Sequence, residues 1–185
     1  MRTFDDLVHE AATVDVSGWG FDWLDGRATE ERQPWGYSRL IAARLPEVTS
    51  ALDIDTGGGE LIAELPFTDA SFELVISRHP VDPPWREIAR VLTDGGTYLA
   101  QHVGPASAFE LIEWFLGPLP RQRLARDPER EAAAARAAGL RIVDLRTARC
   151  RMELFDIGAV VYPLRKCVWW VPDFTASWPT PPAPS

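Results

Sequence analysis

A short glycine-rich turn is the part of this sequence best suited to hold a ligand. It lies between a predicted strand over 51–55 and a predicted short helix over 58–65. The turn consists of Thr56, Gly57, Gly58 and Gly59. Glycine allows a sharp turn with positive φ and a close approach of the backbone to a ligand, as at the ligand-facing corner of a parallel α/β sheet. The flanking acidic residues are Asp53, Asp55 and Glu60. Because they would repel a phosphate, the sequence favours a cationic or hydroxyl-rich ligand.

Two further blocks follow this turn in a fixed order. The first block, residues 52–59, reads LDIDTGGG; the second, residues 65–75, reads LPFTDASFELV; the third, residues 87–96, reads EIARVLTDGG. Together they resemble the class I S-adenosylmethionine (SAM)-dependent methyltransferases, and most closely the broad group that methylates small molecules. The resemblance implies a Rossmann-like α/β sheet in three layers and SAM as the cofactor.

The resemblance also implies which residues hold SAM. Asp53 occupies the position of the family's acidic residue at the end of the first strand, and Asp55 stands where the family commonly has its first glycine. A residue other than glycine is tolerated there only if its φ is negative or if it enters the left-handed region, which Asp does more readily than most residues. The backbone of the turn, from Thr56 through Gly57 and Gly58 to Gly59, would cradle the methionine part of SAM. The ammonium and sulfonium groups of that part suit an acidic, carbonyl-rich wall.

The chain is shorter than a complete family core in two places. Only a few residues separate Glu60 from Pro66, where the family has two more strands that carry the acids contacting ribose and adenine. The missing length is about that of a strand–helix–strand unit. We also expect the family's final strand to be absent, because a Pro-rich stretch takes its place. We therefore expect an abbreviated sheet in which strand 51–55 lies at the edge, beside a strand over 72–77.

Two histidines are candidates for the chemistry that the resemblance implies. In methyl transfer the cofactor supplies the reactive group, while the protein positions the acceptor and in some cases takes its proton. His79 follows strand 72–77 on the side of the sheet where ligands bind, and its imidazole is a candidate base near neutral pH. His102 is a second candidate, close to the end of the next strand. Each also has a simpler interpretation as a hydrogen-bonding group at a strand end.

The rest of the sequence predicts six helices and three further strands. Helices are predicted at 3–15, 36–45, 84–92, 106–116, 128–138 and 156–166. Further strands are predicted at 97–103, 140–145 and 151–155. Strand 140–145 is expected either to pair with 97–103 or to dock loosely.

Three segments are predicted from this order. Residues 1–50 form an N-terminal helical and aromatic cap, residues 51–174 the shortened methyltransferase core, and residues 175–185 a disordered Pro-rich tail. The aromatic residues of the cap, among them Trp19 and Tyr37, either form a lid over the substrate or pack the helices onto the sheet.

Composition restricts the partners. The net charge of −8 over 185 residues disfavours binding to nucleic acid, which requires a basic surface. Four arginines between 121 and 130 form either a solvated helix face or a local basic patch. The two cysteines, Cys150 and Cys167, are too far apart for a Cys-x-x-Cys motif. Neither a signal segment nor a run of membrane-spanning length is recognisable, so we expect a cytoplasmic protein.

Two functions follow as hypotheses. The first is a SAM-dependent methyltransferase acting on a small-molecule acceptor. The alternative is a degenerate, non-catalytic relative that keeps the fold and serves as a binding or interaction module. An NAD-dependent oxidoreductase fits less well, because the turn lacks the Gly-x-Gly-x-x-Gly spacing. Either hypothesis allows a homodimer through the edge strand, since unpaired edges invite association.

Overall fold

The computed structural model describes residues 2–18, 20–54, 65–80 and 82–176. The fold is α/β. The helices in chain order are α1 (Phe4–Thr13), α2 (Tyr37–Arg44), α3 (Trp85–Val91), α4 (Phe109–Leu116), α5 (Pro120–Ala125), α6 (Pro128–Ala137) and α7 (Ile157–Lys166). The strands are β1 (Ala28–Glu30), β2 (Ala51–Ile54), β3 (Phe72–Arg78), β4 (Leu92–Gln101) and β5 (Met152–Leu154). None of the helices in these described ranges has the length and apolar character that crossing a membrane requires.

The chain divides into two compact units. The first comprises Met1–Arg32, Leu111–Pro118 and Cys150–Ser185, and the second comprises Gln33–Glu110 and Leu119–Arg149. The division into cap, core and tail made from the sequence stays a prediction.

The second unit is built on a parallel three-stranded sheet with the order β2-β3-β4. Asp53 of β2 lies opposite Ile76 of β3, and Ile76 in turn lies opposite Leu99 of β4. In the described part of the sheet, β2 is therefore an edge strand beside β3, as predicted. The central strand β3 is almost fully buried over Leu74 and Val75, which fits a strand covered on both faces.

Helix α3 covers one face of this sheet. It begins directly after Pro84 and runs without a loop into β4. Its residues Ile88 and Val91 are fully buried and form a core cluster with Ile54, Leu65, Val75 and Leu92. The sequence placed the start of β4 at residue 97, but the strand begins at Leu92, and its register against β3 is irregular between Phe72 and Leu74.

Arg90 on α3 holds the segment that enters β3. Its guanidinium donates to the carbonyl oxygens of Leu65 and Phe67 and to the carboxylates of Glu87 and Asp69. Five donors in a planar fork allow one arginine to satisfy several acceptors at once. Arg90 therefore fixes the path of the chain just before the central strand.

The first unit is organised by α1 and α7. A core cluster contains Leu24, Ala159 and Tyr162, and the ring of Trp23 stacks on that of Tyr162 at a centroid distance of 4.9 Å. Asp156 caps α7 by accepting a hydrogen bond from the backbone of Ala159, as the sequence predicted. Strand β1 pairs with β5 in an antiparallel two-stranded sheet.

Arg165 and Lys166, the last two residues of α7 to carry a positive charge, donate hydrogen bonds to the C-terminus of α1 and to the segment that follows it. Arg165 donates to the carbonyl oxygens of Ala11 and Val14, at 2.5 and 2.9 Å. Lys166 donates to the next carbonyls, those of Val16, Ser17 and Gly18. One carbonyl group that α1 leaves unpaired at its C-terminus, that of Ala11, is thus satisfied by a side chain, and the other acceptors belong to the segment that follows the helix.

The strand predicted over 140–145 is wrong. These residues have no regular secondary structure. Leu140 packs against the core cluster, but the side chain of Val143 is 78% exposed. An apolar pattern forms a strand only where a neighbouring strand completes its hydrogen bonds, and no described strand pairs with 140–145. The helix predicted over 58–65 lies almost entirely outside the described residues.

Candidate functional site

The carboxyl ends of β2, β3 and β4 lie side by side because the three strands are parallel. In an open α/β sheet this edge is where ligands bind. Side chains alternate between the two faces along a strand. The register therefore places Asp53 and Arg78 on one face, and Ser77 and Tyr98 on the other.

On the first face, α2 brings Tyr37 to the end of β3. Its hydroxyl group donates a 2.7 Å hydrogen bond to the carbonyl oxygen of Ser77, and the residue is 8% exposed. Burial raises the pKa of Tyr37 to about 12, and the negative charge of Asp53 contributes to this rise. The phenol therefore stays protonated and keeps donating its hydrogen bond.

Asp53 projects from β2 on the same face. The residue is exposed, yet the protein atoms around its carboxyl group partly desolvate it and raise its pKa. A ligand carrying positive charge would favour the ionised carboxylate and would gain from this incompletely solvated position.

The other residues that the resemblance assigns to the cofactor are Asp55, Thr56, Gly57, Gly58 and Gly59, and they lie outside the described residues. Trp19, an aromatic candidate for the lid, also lies outside them. Of the residues predicted to bind the cofactor, Asp53 is therefore the one whose position the structure describes.

His79 follows β3 and has a positive φ of 60°. Its backbone N–H donates to the carbonyl oxygen of Gln101, and Nε2 of its ring lies 3.0 Å from Nε2 of Gln101. Partial burial lowers the pKa of His79, and the nearby charges of Arg78 and His102 lower it further. The lowered pKa favours the neutral imidazole, which is the protonation state that a base requires.

On the second face a chain of polar side chains runs from β3 to α6. The hydroxyl groups of Ser77 and Tyr98 are 2.6 Å apart, and the hydroxyl of Tyr98 lies 3.5 Å from Nε2 of His102. Nδ1 of His102 contacts the carboxylate of Glu131 on α6. The indole of Trp85 stacks on the imidazole of His102, with a centroid distance of 6.0 Å and an interplanar angle of 17°.

Sequence reasoning identified both histidines but missed the residues connected to His102: Tyr98 and Glu131 lie next to its ring, and Ser77 is hydrogen-bonded to Tyr98. Ser77, Tyr98 and Glu131 were not among the candidates. The observed register places the side chains of Ser77 and Tyr98 on the same face of the sheet. Ser77 is fully buried, and a hydroxyl directly after the apolar residues 74–76 was the available signal. Glu131 lies 29 positions after His102 in the numbering, so its contact depended on where α6 packs.

The carboxyl edge of the sheet thus carries a carboxylate, that of Asp53, and an imidazole, that of His79. Comparisons of the chain with protein-family models, with curated proteins and with solved structures find no match.

Proposed function

We propose that this chain is a SAM-dependent methyltransferase with a shortened, Rossmann-like class I core, acting on a small-molecule acceptor. One observation carries the proposal: β2, β3 and β4 are parallel and adjacent, with Asp53 near the carboxyl end of β2. The three sequence blocks of the resemblance supply these same strands. In the sequence, β2 is followed by Asp55 and then by the glycine-rich turn.

The charge at this edge supports a cationic cofactor. Asp53 is a carboxylate that its surroundings solvate incompletely, and the sulfonium and ammonium groups of SAM would complement it. When bound, SAM would supply the methyl group for an acceptor oxygen or nitrogen, with S-adenosylhomocysteine as the other product. Asp53 would face the positive charge of the cofactor, and His79 would take the proton that the acceptor loses.

A second candidate is a non-catalytic member of the same fold that acts as a binding or interaction module. It is favoured by the distance between Ile54 and Leu65 along the chain. Both residues belong to one core cluster, and only ten residues lie between them. So short a connection leaves no length for the two strands that would carry the ribose and adenine contacts in the family.

Isothermal titration calorimetry of the full chain with SAM and with S-adenosylhomocysteine separates the candidates. The methyltransferase proposal expects binding in the micromolar range, and Asp53→Asn is expected to weaken SAM about tenfold. Asp25→Asn, which removes an exposed carboxylate from the first unit, is the matched control and should leave affinity unchanged. A folded protein that binds neither compound overturns the proposal and favours the second candidate.

The role of His79 has its own test. His79→Gln should leave SAM affinity unchanged and lower the rate of methyl transfer by about a hundredfold, the usual contribution of a general base. A variant that binds SAM and retains the full rate at every pH would exclude His79 as the base.

A further inference from the structure

Arg78 is a second charged residue at the carboxyl edge of the sheet, on the same face as Asp53. It is the last residue of β3 and is exposed. Asp53 on β2 lies opposite Ile76 of β3, so Arg78 follows two positions further along the central strand, where its side chain projects from the same face. The spacing of neighbouring strands and the rise per residue place the Cα atoms of Asp53 and Arg78 about 8 Å apart. A small ligand is therefore able to contact both side chains at once.

The phenol of Tyr37 provides a second measure of where these two charges lie. Its hydroxyl donates to the carbonyl oxygen of Ser77, the residue before Arg78. Burial is the main cause of the raised pKa of Tyr37; the negative charge of Asp53 adds to the rise, and the positive charge of Arg78 opposes it. The carboxylate and the guanidinium are thus both within electrostatic range of one hydroxyl group at this end of the sheet.

The two opposite charges do not neutralise each other. Within the described part of the chain, neither the Asp53 carboxylate nor the Arg78 guanidinium forms an ion pair or a hydrogen bond. A ligand with positive charge alone would leave the guanidinium unpaired, and a ligand with negative charge alone would be repelled by Asp53. The pair is best matched by a ligand that carries an ammonium and a carboxylate close together.

We propose that Asp53 and Arg78 together bind the α-amino acid group of a zwitterionic ligand. The carboxylate of Asp53 would accept hydrogen bonds from the ammonium, and the planar guanidinium of Arg78 would donate two parallel hydrogen bonds to the ligand carboxylate. This inference rests on the proposed function for the use of this edge as the ligand site, and it adds Arg78 to that site. Two sources carry the same group: the methionine part of SAM, and a free amino acid that binds as the small-molecule substrate.

Isothermal titration calorimetry of the full chain with S-adenosylhomocysteine and with L-methionine tests the pair. We expect Arg78→Gln to weaken the zwitterion that the wild type binds by about tenfold, because the ligand carboxylate loses its charged donor. Arg78→Lys keeps the charge but not the planar fork and should lose less affinity than Arg78→Gln. Arg86→Gln removes an exposed guanidinium from α3; it is the matched control and should leave both affinities unchanged.

Two analogues show whether the loss comes from the ligand carboxylate. Methioninamide lacks the carboxylate, and methylthioadenosine lacks the whole amino acid group. The affinity of either compound should be the same for the wild type and for Arg78→Gln. An equal loss of affinity for an analogue and for its zwitterion would contradict recognition of the carboxylate by Arg78.

The two ligands also separate this inference from the proposed function. Binding of S-adenosylhomocysteine that depends on Arg78 assigns the pair to the cofactor. Binding of L-methionine that depends on Arg78, without binding of S-adenosylhomocysteine by the wild type, keeps the zwitterion site and overturns the proposed function. If S-adenosylhomocysteine binds equally to the wild type and to Arg78→Gln, and L-methionine shows no dependence on Arg78, the zwitterion site is overturned and the proposed function stands. A folded protein that binds neither compound overturns both.

Discussion

The hydroxyl group of Tyr37 donates a 2.7 Å hydrogen bond to the carbonyl oxygen of Ser77, forty positions away in the chain. Tyr37 begins α2, and Ser77 lies near the end of the central strand β3. Both residues are buried, so water does not replace the bond if it is broken. This single contact ties α2 to the end of the sheet where Asp53 and His79 lie.

Tyr37→Phe should therefore lower the free energy of unfolding by about 1 to 2 kcal/mol, because it leaves the Ser77 carbonyl with one partner fewer in a buried position. Urea denaturation at neutral pH measures this change. Tyr162→Phe is the matched control: Tyr162 is also buried, but its hydroxyl makes no hydrogen bond to a described residue. Equal losses of stability in the two variants would show that the Tyr37 hydroxyl bond contributes nothing specific.

The carboxylate of Glu87 makes the stability of the second unit depend on pH in the acid range. Hydrogen bonds from Arg90 and from the backbone of Leu65 lower the pKa of Glu87 from 4.5 to about 2. A carboxylate with a lower pKa in the folded state contributes stability that is fully present above the unfolded value. We expect that contribution to be lost as the pH falls from about 4.5 towards 2.

Glu87→Gln should accordingly be less stable than the wild type at neutral pH and should show a smaller loss of stability in this acid window. Thermal unfolding followed at a series of pH values measures both effects. Glu129→Gln removes an exposed carboxylate that makes no ion pair with a described residue, and its acid profile should match that of the wild type. If Glu87→Gln has the wild-type profile, the contacts of Glu87 with Arg90 and Leu65 do not determine the acid response.

The elements of this fold that depend on local pattern were predictable from the sequence. The buried run of β3, the Asp156 cap of α7 and the end of α6 at Gly139, which has a φ of 94°, follow from residue types at adjacent positions. The neighbouring positions of β2 and β3 followed from the resemblance together with the rules for parallel connections.

The elements that depend on distant partners were not predictable. The segment 140–145 has the composition of a strand but lacks a described strand beside it, and composition alone does not supply a hydrogen-bonding neighbour. The candidate site shows the same limit. His79 and His102 could be recognised as residues with useful chemistry, whereas the contact of His102 with Glu131 exists only because α6 packs near the end of β4.

Arg27 in the first unit combines three interactions that lysine cannot reproduce. Its guanidinium carbon lies 3.9 Å from the centroid of the Trp23 ring. Its Nη2 is 2.8 Å from Glu10 on α1, and its Nε is 3.6 Å from Asp156, the cap of α7. A planar guanidinium stacks on an indole and reaches two carboxylates at once, whereas an ammonium is a compact charge that satisfies fewer acceptors in this geometry.

Arg27→Lys should therefore lower the free energy of unfolding by about 1 to 2 kcal/mol although it preserves the charge. Arg2→Lys is the matched control, because Arg2 pairs with the same carboxylate of Glu10, yet its side chain is 58% exposed against 12% for Arg27. An exposed pair of this kind contributes little, so Arg2→Lys should be close to neutral in the same urea titration. Similar effects of the two substitutions would mean that charge alone, rather than the stacked and shielded guanidinium, stabilises the junction of α1 and α7.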